Sequence, residues 1–480
     1  MKKITIDPLT RLEGHGKIEI FLDDEGNVKE SYLQIPELRG FEKFCEGRLA
    51  EDMPQITSRI CGVCPEAHHL ASTKALDTAF GTVPPEPARK LRELMYCSYF
   101  IYDHILHFFY LGAPDLIVGP TADPKDRNIL GVINKVGVEI GREVIKHRSY
   151  GQKILAIIGG KATHPVCGLP GGMSKSITDE DTAQIKPMLE SCLGFVQSTI
   201  KIFNKLILDN PDYRKLIAGE TYYLKTYYMG IVDEKNQLNI YDGKIRVVDP
   251  QGKEHAKFSA GEYTDFISEG VNTWTYVKKT YLKKIGGKEG MYRVGPLARL
   301  NVSEKMSTPI AQEEYERLYG FFNTKPVHNT LAYHWARLVE LLYVCERALQ
   351  LIDDPQITSD KIRTKSAIAS AESRGVGVIE AARGTLIHDY TLTPERLIKK
   401  VNLIVPTTSN SAAINRSIGE TAKKVIKNGN VSEGLLNMIE MAYRAYDPCF
   451  ACSTHSFPGH LPLVANIYNS NKKLVKKIVP

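Results

Sequence analysis

The sequence contains no apolar run long enough and clean enough to cross a membrane. Its most membrane-like stretch, MYCSYFIYDHILHFFYLGAP, carries Asp103, His104 and His107, and ionisable groups are costly in a bilayer core. No secretory leader is expected, because MKKITIDPLTRL turns charged before an apolar segment develops. Low-complexity tracts, internal repeats and linker-like compositions are also missing. At 480 residues the chain is long enough to bury a sizeable core, and a globular protein of the cytoplasm is expected. A dense basic face is absent too. Of the net charge of +7, Lys472, Lys473, Lys476 and Lys477 supply +4, with no acid from residue 456 onward. The remainder carries only +3 (7 − 4), so nucleic acid is not an expected partner.

Hydrophobic periodicity divides the chain coarsely. Residues 3–36 alternate as strands do, with a turn at Asp24-Glu25-Gly26-Asn27. From about 48 to 208 the pattern is helical: Leu91, Met95, Tyr99, Tyr102, Leu106 and Phe109 recur at spacings of three and four. A second striped segment, DTAQIKPMLESCLGFVQSTIKIFNKLILD, contains Pro187 as a candidate interruption. Residues about 220–300 turn to short alternating runs with turns at Asp242-Gly243 and Asp249–Gly252, and long helical patterns then return. The expected fold is mainly α with a smaller β portion (α+β): a long-helix bundle core with peripheral sheets.

Nine cysteines stand at positions 45, 61, 64, 97, 167, 192, 345, 449 and 452. Only Cys61/Cys64 and Cys449/Cys452 have C-x-x-C spacing; the other five read as small buried hydrophobes. In a cytoplasmic chain such pairs point to metal or redox chemistry before structural disulfides. A structural zinc site is the plain reading, yet 384 residues separate Cys64 from Cys449, whereas zinc knuckles usually lie within about 15–20 residues. Thioredoxin-like chemistry wants one pair opening a helix within a βαβ unit, a setting neither pair has. Iron–sulfur binding remains open. So does a catalytic centre sewn together from both chain ends, in which soft thiolates hold one metal and bridge to a second. Pro65 is placed to open a helix just after Cys64, where amide dipoles favour thiolates.

Six segments carry a specific resemblance. RICGVCPEAH and DPCFACSTH, with IDPLTRLEGH, RGFEKF at 39–44, EAARG at 380–384 and VPTT at 405–408, resemble the signatures of the [NiFe]-hydrogenase large subunit, in that family's order. The resemblance implies that Cys61, Cys64, Cys449 and Cys452 bind nickel, with Cys64 and Cys452 bridging to an iron that carries carbon monoxide and cyanide. It further implies that Arg383 hangs over the metals, held by Asp103 and Asp447. Cys449 would be the first proton acceptor, and Glu13 would pass that proton outward. His68 would hydrogen-bond a bridging sulfur, Thr407 a cyanide, and Val405 and Pro406 would wall the carbon monoxide. Glu42, the Leu403 carbonyl and His455 match the ligands of a second ion, magnesium or iron.

Ala382 and Thr407 stand where membrane-bound members have proline and serine, as in cytosolic relatives. Other motifs are poor: the glycine-rich loop at 159–172 lacks G-K-[ST], and GVGVIE at 375–380 is a weak dinucleotide fingerprint. The five remaining cysteines have no cluster spacing, so the resemblance implies an obligate iron–sulfur small subunit. Beyond it an electron-transfer subunit is expected, with a heterodisulfide-reductase-type complex, as in hydrogenases that do not reduce deazaflavin. A nicotinamide-linked enzyme and a non-catalytic relative are the alternatives. Residues 1–455 are expected to be one domain. A maturation endopeptidase is expected to cut after His455 and remove residues 456–480.

Overall fold

In the computed structural model of the chain, the alternating N-terminal stretch forms an antiparallel sheet of Lys3–Ile6, Lys17–Leu22 and Val28–Gln34. The structure describes residues 2–365, 371–454, 465–468 and 473–478. In the middle strand Ile18, Ile20 and Leu22 are buried while their neighbours are not, the period of a half-buried strand. Asp23 closes the turn by accepting the Asn27 N–H at 2.8 Å.

Long helices make the core. Pro65 sits at the start of the helix Pro65–Ala79, where its missing N–H costs nothing. Glu86–Leu106 buries Leu91, Met95, Tyr99 and Tyr102, packing against Val138–Gly159 and Ala332–Ile352. The helix Asp179–Phe203 runs unbroken through Pro187, so the expected interruption does not occur. A capping box on Thr178 and Asp181 starts this helix, and Ile185, Leu189, Cys192 and Val196 bury against its neighbours. That packing outweighs one lost backbone hydrogen bond. The β-rich middle contains a sheet ordered Tyr292–Arg293, Tyr227–Val232, Lys244–Val248, Glu254–Phe258, and a hairpin of Ile267–Gly270 with Lys279–Leu282. The fold is thus α+β, with small sheets around a helical core.

One sheet has no counterpart in the periodicity of the sequence. Ser373–Ala381, Gly384–Leu392 and Ile398–Ile404 pair antiparallel. Its first two strands are buried almost throughout, so no alternation marks them. The helix Pro65–Ala79 lies directly on it. A Cβ at Gly375 would stand 2.0 Å from the Ala75 carbonyl oxygen, and one at Gly377 2.1 Å from that of Ala71. The glycines of GVGVIE therefore serve close helix–strand approach, not a nucleotide. Ala381 pairs with Gly384, so Ala382 and Arg383 form the tip of a tight hairpin.

Gly377→Ala is expected to push the helix off the sheet, costing about 1–3 kcal/mol and lowering the thermal unfolding temperature. Gly194→Ala, inside a helix with nothing within 4 Å of the new Cβ, should leave that temperature equal or higher.

Candidate metal centre

Cys61 and Cys64 occupy the tight turn between Met53–Ser58 and Pro65–Ala79. The Val63 and Cys64 N–H groups donate to Cys61 Sγ at 3.2 and 3.3 Å, an arrangement that favours thiolate. Of the second pair, Cys449 caps the short helix Phe450–Ser453 and Cys452 lies within it; the chain enters through Asp447 in a left-handed conformation (φ 56°). Cys61 and Cys449 sulfurs lie 3.5 Å apart, and those of Cys64 and Cys452 3.7 Å. All four donor atoms fall within 4.8 Å of one another, the one such group of metal-ligating side chains among the described residues. Each of the four residues is at most 5% exposed. The Cys61–Cys64 hydrogen bond and burial oppose each other on Cys61 and act together on Cys64. That bond, the larger effect on Cys61, holds its thiol below the ordinary value and raises that of Cys64.

The N-terminus is zipped onto the second pair. Glu13 pairs with Cys449 in a parallel bridge, and the Phe450 N–H donates to the Glu13 carbonyl at 3.0 Å. The Glu13 carboxylate accepts from Cys449 Sγ at 2.8 Å and from the Ala451 N–H at 3.2 Å. Burial raises its pKa above the usual glutamate value, against the opposing charge of Arg383. Thr407 Oγ1 accepts the Cys449 N–H at 3.0 Å, which leaves its own hydroxyl proton to donate.

Arg383 closes the cavity between the thiols. One terminal nitrogen donates to Asp103 Oδ2 at 3.1 Å; the other lies 3.0 Å from Asp447 Oδ2, an ion-pair contact out of hydrogen-bond alignment. Burial alone would lower the Arg383 pKa, but the two carboxylates outweigh it and hold it above the ordinary value. Burial pushes Asp103 up to about 6 despite that arginine. Asp103 Oδ1 and Arg383 Nε have no hydrogen-bond partner among the described residues. Val405, Pro406, Ala67, Ala381 and Leu386 make the apolar wall of the cavity, and His68 and Thr407 also line it.

Glu42 accepts the Leu403 N–H at 2.8 Å, so these two expected second-ion ligands are adjacent, although this contact uses the amide, not the carbonyl. His455 and the bond after it lie outside the described residues. Every other expected site residue is drawn to the one cavity or its rim.

Sequence reasoning missed the groups that hold Arg383 in place. Arg299, fully buried, pairs with Glu340 and Glu380 and donates to the Ala381 and Ala382 carbonyls at 2.7 and 2.9 Å. Tyr96 donates to the Glu380 carbonyl at 2.7 Å, and the Ala382 N–H donates to Tyr99 Oη at 3.2 Å. Glu66 was missed as well: Tyr102 donates to it at 2.7 Å, and burial pushes its pKa up to about 8. Of these, Glu380, inside EAARG, and Glu66, inside RICGVCPEAH, stood within motifs.

Comparison with known proteins converges on one family. Residues 39–128 and 142–455 match the model described as nickel-dependent hydrogenase, and residues 3–38 one described as HoxL-like. An iron-sulfur subunit of the F420-non-reducing hydrogenase of Archaeoglobus profundus is 44% identical over 100% of this chain and 99% of its own. The NAD-reducing hydrogenase HoxS subunit beta of Cupriavidus necator is 33% identical over 99% of both. A crystal structure of an NAD+-reducing [NiFe]-hydrogenase in the H2-reduced state superposes with a TM-score of 0.89 at 37% identity, covering 95% of this chain and 100% of that one. The Ni-Fe-Se hydrogenase of D. vulgaris Hildenborough, at 24% identity and a TM-score of 0.77, shares the fold.

Arg299→Met would strand two buried carboxylates. The expected cost is about 3–5 kcal/mol, read as a large fall in unfolding temperature or failure to accumulate; an unchanged unfolding temperature would contradict this account of how the hairpin is held.

Proposed function

The chain belongs to the nickel-dependent hydrogenase family as the catalytic large subunit of a [NiFe]-hydrogenase, and from that premise we propose which of its residues do what. The observation that carries the reading is the cluster of four buried cysteine sulfurs from both chain ends beneath a guanidinium held by two carboxylates. Four soft sulfurs in a dry site fit nickel and iron and suit hard oxygen-seeking ions poorly. Cys61, Cys64, Cys449 and Cys452 would hold nickel, and the adjacent Cys64 and Cys452 would be shared with iron. The bound centre supplies heterolytic splitting of dihydrogen.

The chain's own groups handle proton and charge. Cys449 takes the proton and Glu13, 2.8 Å away, receives it; a carboxyl with a raised pKa can hold a proton between transfers. Arg383 supplies a fixed positive charge at the cavity, kept in place by Asp103 and Asp447. Thr407, with a hydroxyl proton to give, suits a cyanide on the iron, and the Val405–Pro406 wall suits carbon monoxide. Glu42 and Leu403 are assigned with His455 to a second ion, magnesium or iron.

Electrons leave through an iron–sulfur small subunit, since the other five cysteines are buried and separate and none joins a metal-ligating group among the described residues. The acceptor proposed beyond it is a heterodisulfide-reductase-type complex. Greater identity to a deazaflavin-non-reducing relative than to a nicotinamide-linked one supports this. No helix among the described residues is long and apolar enough to span a membrane, in keeping with a cytoplasmic site of action. Residues 1–455 form the large-subunit domain, and an endopeptidase removes 456–480; the family match ending at residue 455 supports that boundary.

The test is the purified complex under hydrogen. It is expected to contain nickel and iron and to reduce a viologen dye; zinc alone, with no infrared bands from carbon monoxide or cyanide, would sink the assignment. In the same assay Glu13→Gln should keep the metals and lose on the order of 10²–10⁴-fold in turnover. Intact mass of the active large subunit should end at His455; an active chain of full length would refute processing.

A further inference from the structure

Behind His68, on the side away from the thiols, stands a polar chain that the proposed chemistry does not use. His68 belongs to the helix Pro65–Ala79, His388 and Tyr390 to the strand Gly384–Leu392 on which that helix lies. His68 Nδ1 is 3.1 Å from His388 Nε2, and His388 Nδ1 is 2.7 Å from Tyr390 Oη. All three side chains are at most 1% exposed. The approach depends on Gly375 and Gly377, which let the helix descend onto the sheet.

Each of these contacts holds one proton, so the direction of one sets the direction of the next. Burial raises the Tyr390 phenol above the ordinary tyrosine value, so it keeps its proton. That buried hydroxyl proton needs an acceptor, and His388 Nδ1 lies 2.7 Å from Tyr390 Oη. The phenol therefore gives its proton to His388 Nδ1. His388 then carries its proton on Nε2 and donates to His68 Nδ1. His68 is left with its proton on Nε2, on a ring that lines the thiol cavity. The cavity end selects the same direction, because thiolate sulfur accepts hydrogen bonds and repels a nitrogen lone pair.

We propose that Tyr390 and His388 are positioning residues that fix His68 as an Nε2–H donor toward the cysteine sulfurs, through a one-way hydrogen-bond chain running from the sheet to the centre. The proposal rests on reading the four thiols as the nickel–iron site. Tyr390 and His388 touch neither substrate nor metal; they act by denying His68 its other tautomer. A sulfur that receives such a donor has less charge to give its metal, so the chain tunes the centre from a distance.

The test uses the purified, metal-loaded complex with nickel in a paramagnetic state. A hydrogen-bonded imidazole nitrogen beside a nickel-ligating sulfur modulates the electron spin echo through its ¹⁴N nucleus. The parent complex is expected to show this modulation and His68→Ala to lose it. Tyr390→Phe, which deletes only the hydroxyl, is expected to lose it too while retaining nickel. His388→Gln keeps an N–H donor facing His68 Nδ1 and is expected to retain it; should that variant fail to assemble, Tyr390→Phe decides alone. Unchanged modulation in Tyr390→Phe would overturn the proposal, as would a nickel signal without nitrogen modulation in the parent, which leaves the functional reading intact. A parent complex with no nickel at all would overturn that reading, and this inference with it.

Discussion

Four cysteine sulfurs from opposite ends of the chain must share one dry space, and the rest of the fold answers that requirement. Bringing Cys64 to Cys449 closes a loop of 384 residues, an entropic cost of roughly 5 kcal/mol before any strain. Contacts at the sulfurs cannot supply this without a metal, so it falls to the helical core and to the zipper between Glu13 and Cys449. That zipper is specific about its residues. Gly14, at φ +87°, would place a Cβ 2.8 Å from the Ala451 nitrogen, and a Cβ at Gly16 would press on the Phe450 ring at 3.1 Å. Glycine is required at 14, and 16 has little room for a side chain, for the N-terminal segment to lie against the C-terminal motif. Backbone pairing and core packing thus hold the four cysteines together in the fold itself.

The second demand is electrostatic. Arg383, Arg299, Asp103, Asp447, Glu340 and Glu380 are nearly or fully inaccessible, and each lone charge would cost several kcal/mol to bury. Alternating cations and carboxylates removes most of that cost, with each arginine facing two acids. Arginine suits this role better than lysine, since its planar fork reaches two carboxylates and backbone carbonyls at once. Arg299 does both, pairing with acids on one side and gripping the hairpin carbonyls beside Arg383 on the other. The position of Arg383 is therefore set by a rigid lattice of charges, not by its own flexible side chain. Pre-organisation of this sort is what lets a fixed charge act at a site without reorganising as the reaction proceeds.

How much of this the sequence disclosed follows the range of the interactions. The C-x-x-C pairs, Glu13, Arg383, Thr407 and Asp447 sit in short motifs, and the buried stripe of Glu86–Leu106 shows in its period; these were legible. The sheet carrying Arg383 was not, because helices and neighbouring strands cover both its faces and erase the alternation that marks a half-buried strand. Its glycines looked like a failed nucleotide motif, since close approach to a helix leaves no local trace. Pro187 looked like a break because its missing hydrogen bond is visible in sequence and the tertiary packing around it is not. Arg299 was invisible for the same reason: its partners lie 41 and 81 residues away, and no local rule distinguishes a buried arginine from a surface one. His388 and Tyr390 sit in no motif, and their link to His68 exists only once the helix lies on the sheet.

The cavity lining is of two kinds. Ala67, Ala381, Leu386, Val405 and Pro406 bring no hydrogen-bonding side chain; Arg383, held by its acids, and Cys449, in contact with Glu13, bring polar ones. Dihydrogen is small and apolar and gains nothing from polar contacts, so an apolar wall receives it without competition from firmly held water. On the proposed reading, the proton released by its splitting would pass from Cys449 to Glu13, whose carboxylate lies 2.8 Å from that sulfur. The same division explains why polar side chains at the wall are confined to His68 and Thr407. Thr407 is already tied to the Cys449 amide, and His68 is tied through His388 to the sheet. Thr407 thereby keeps a hydroxyl proton available to the cavity, and the ring of His68 is held from behind.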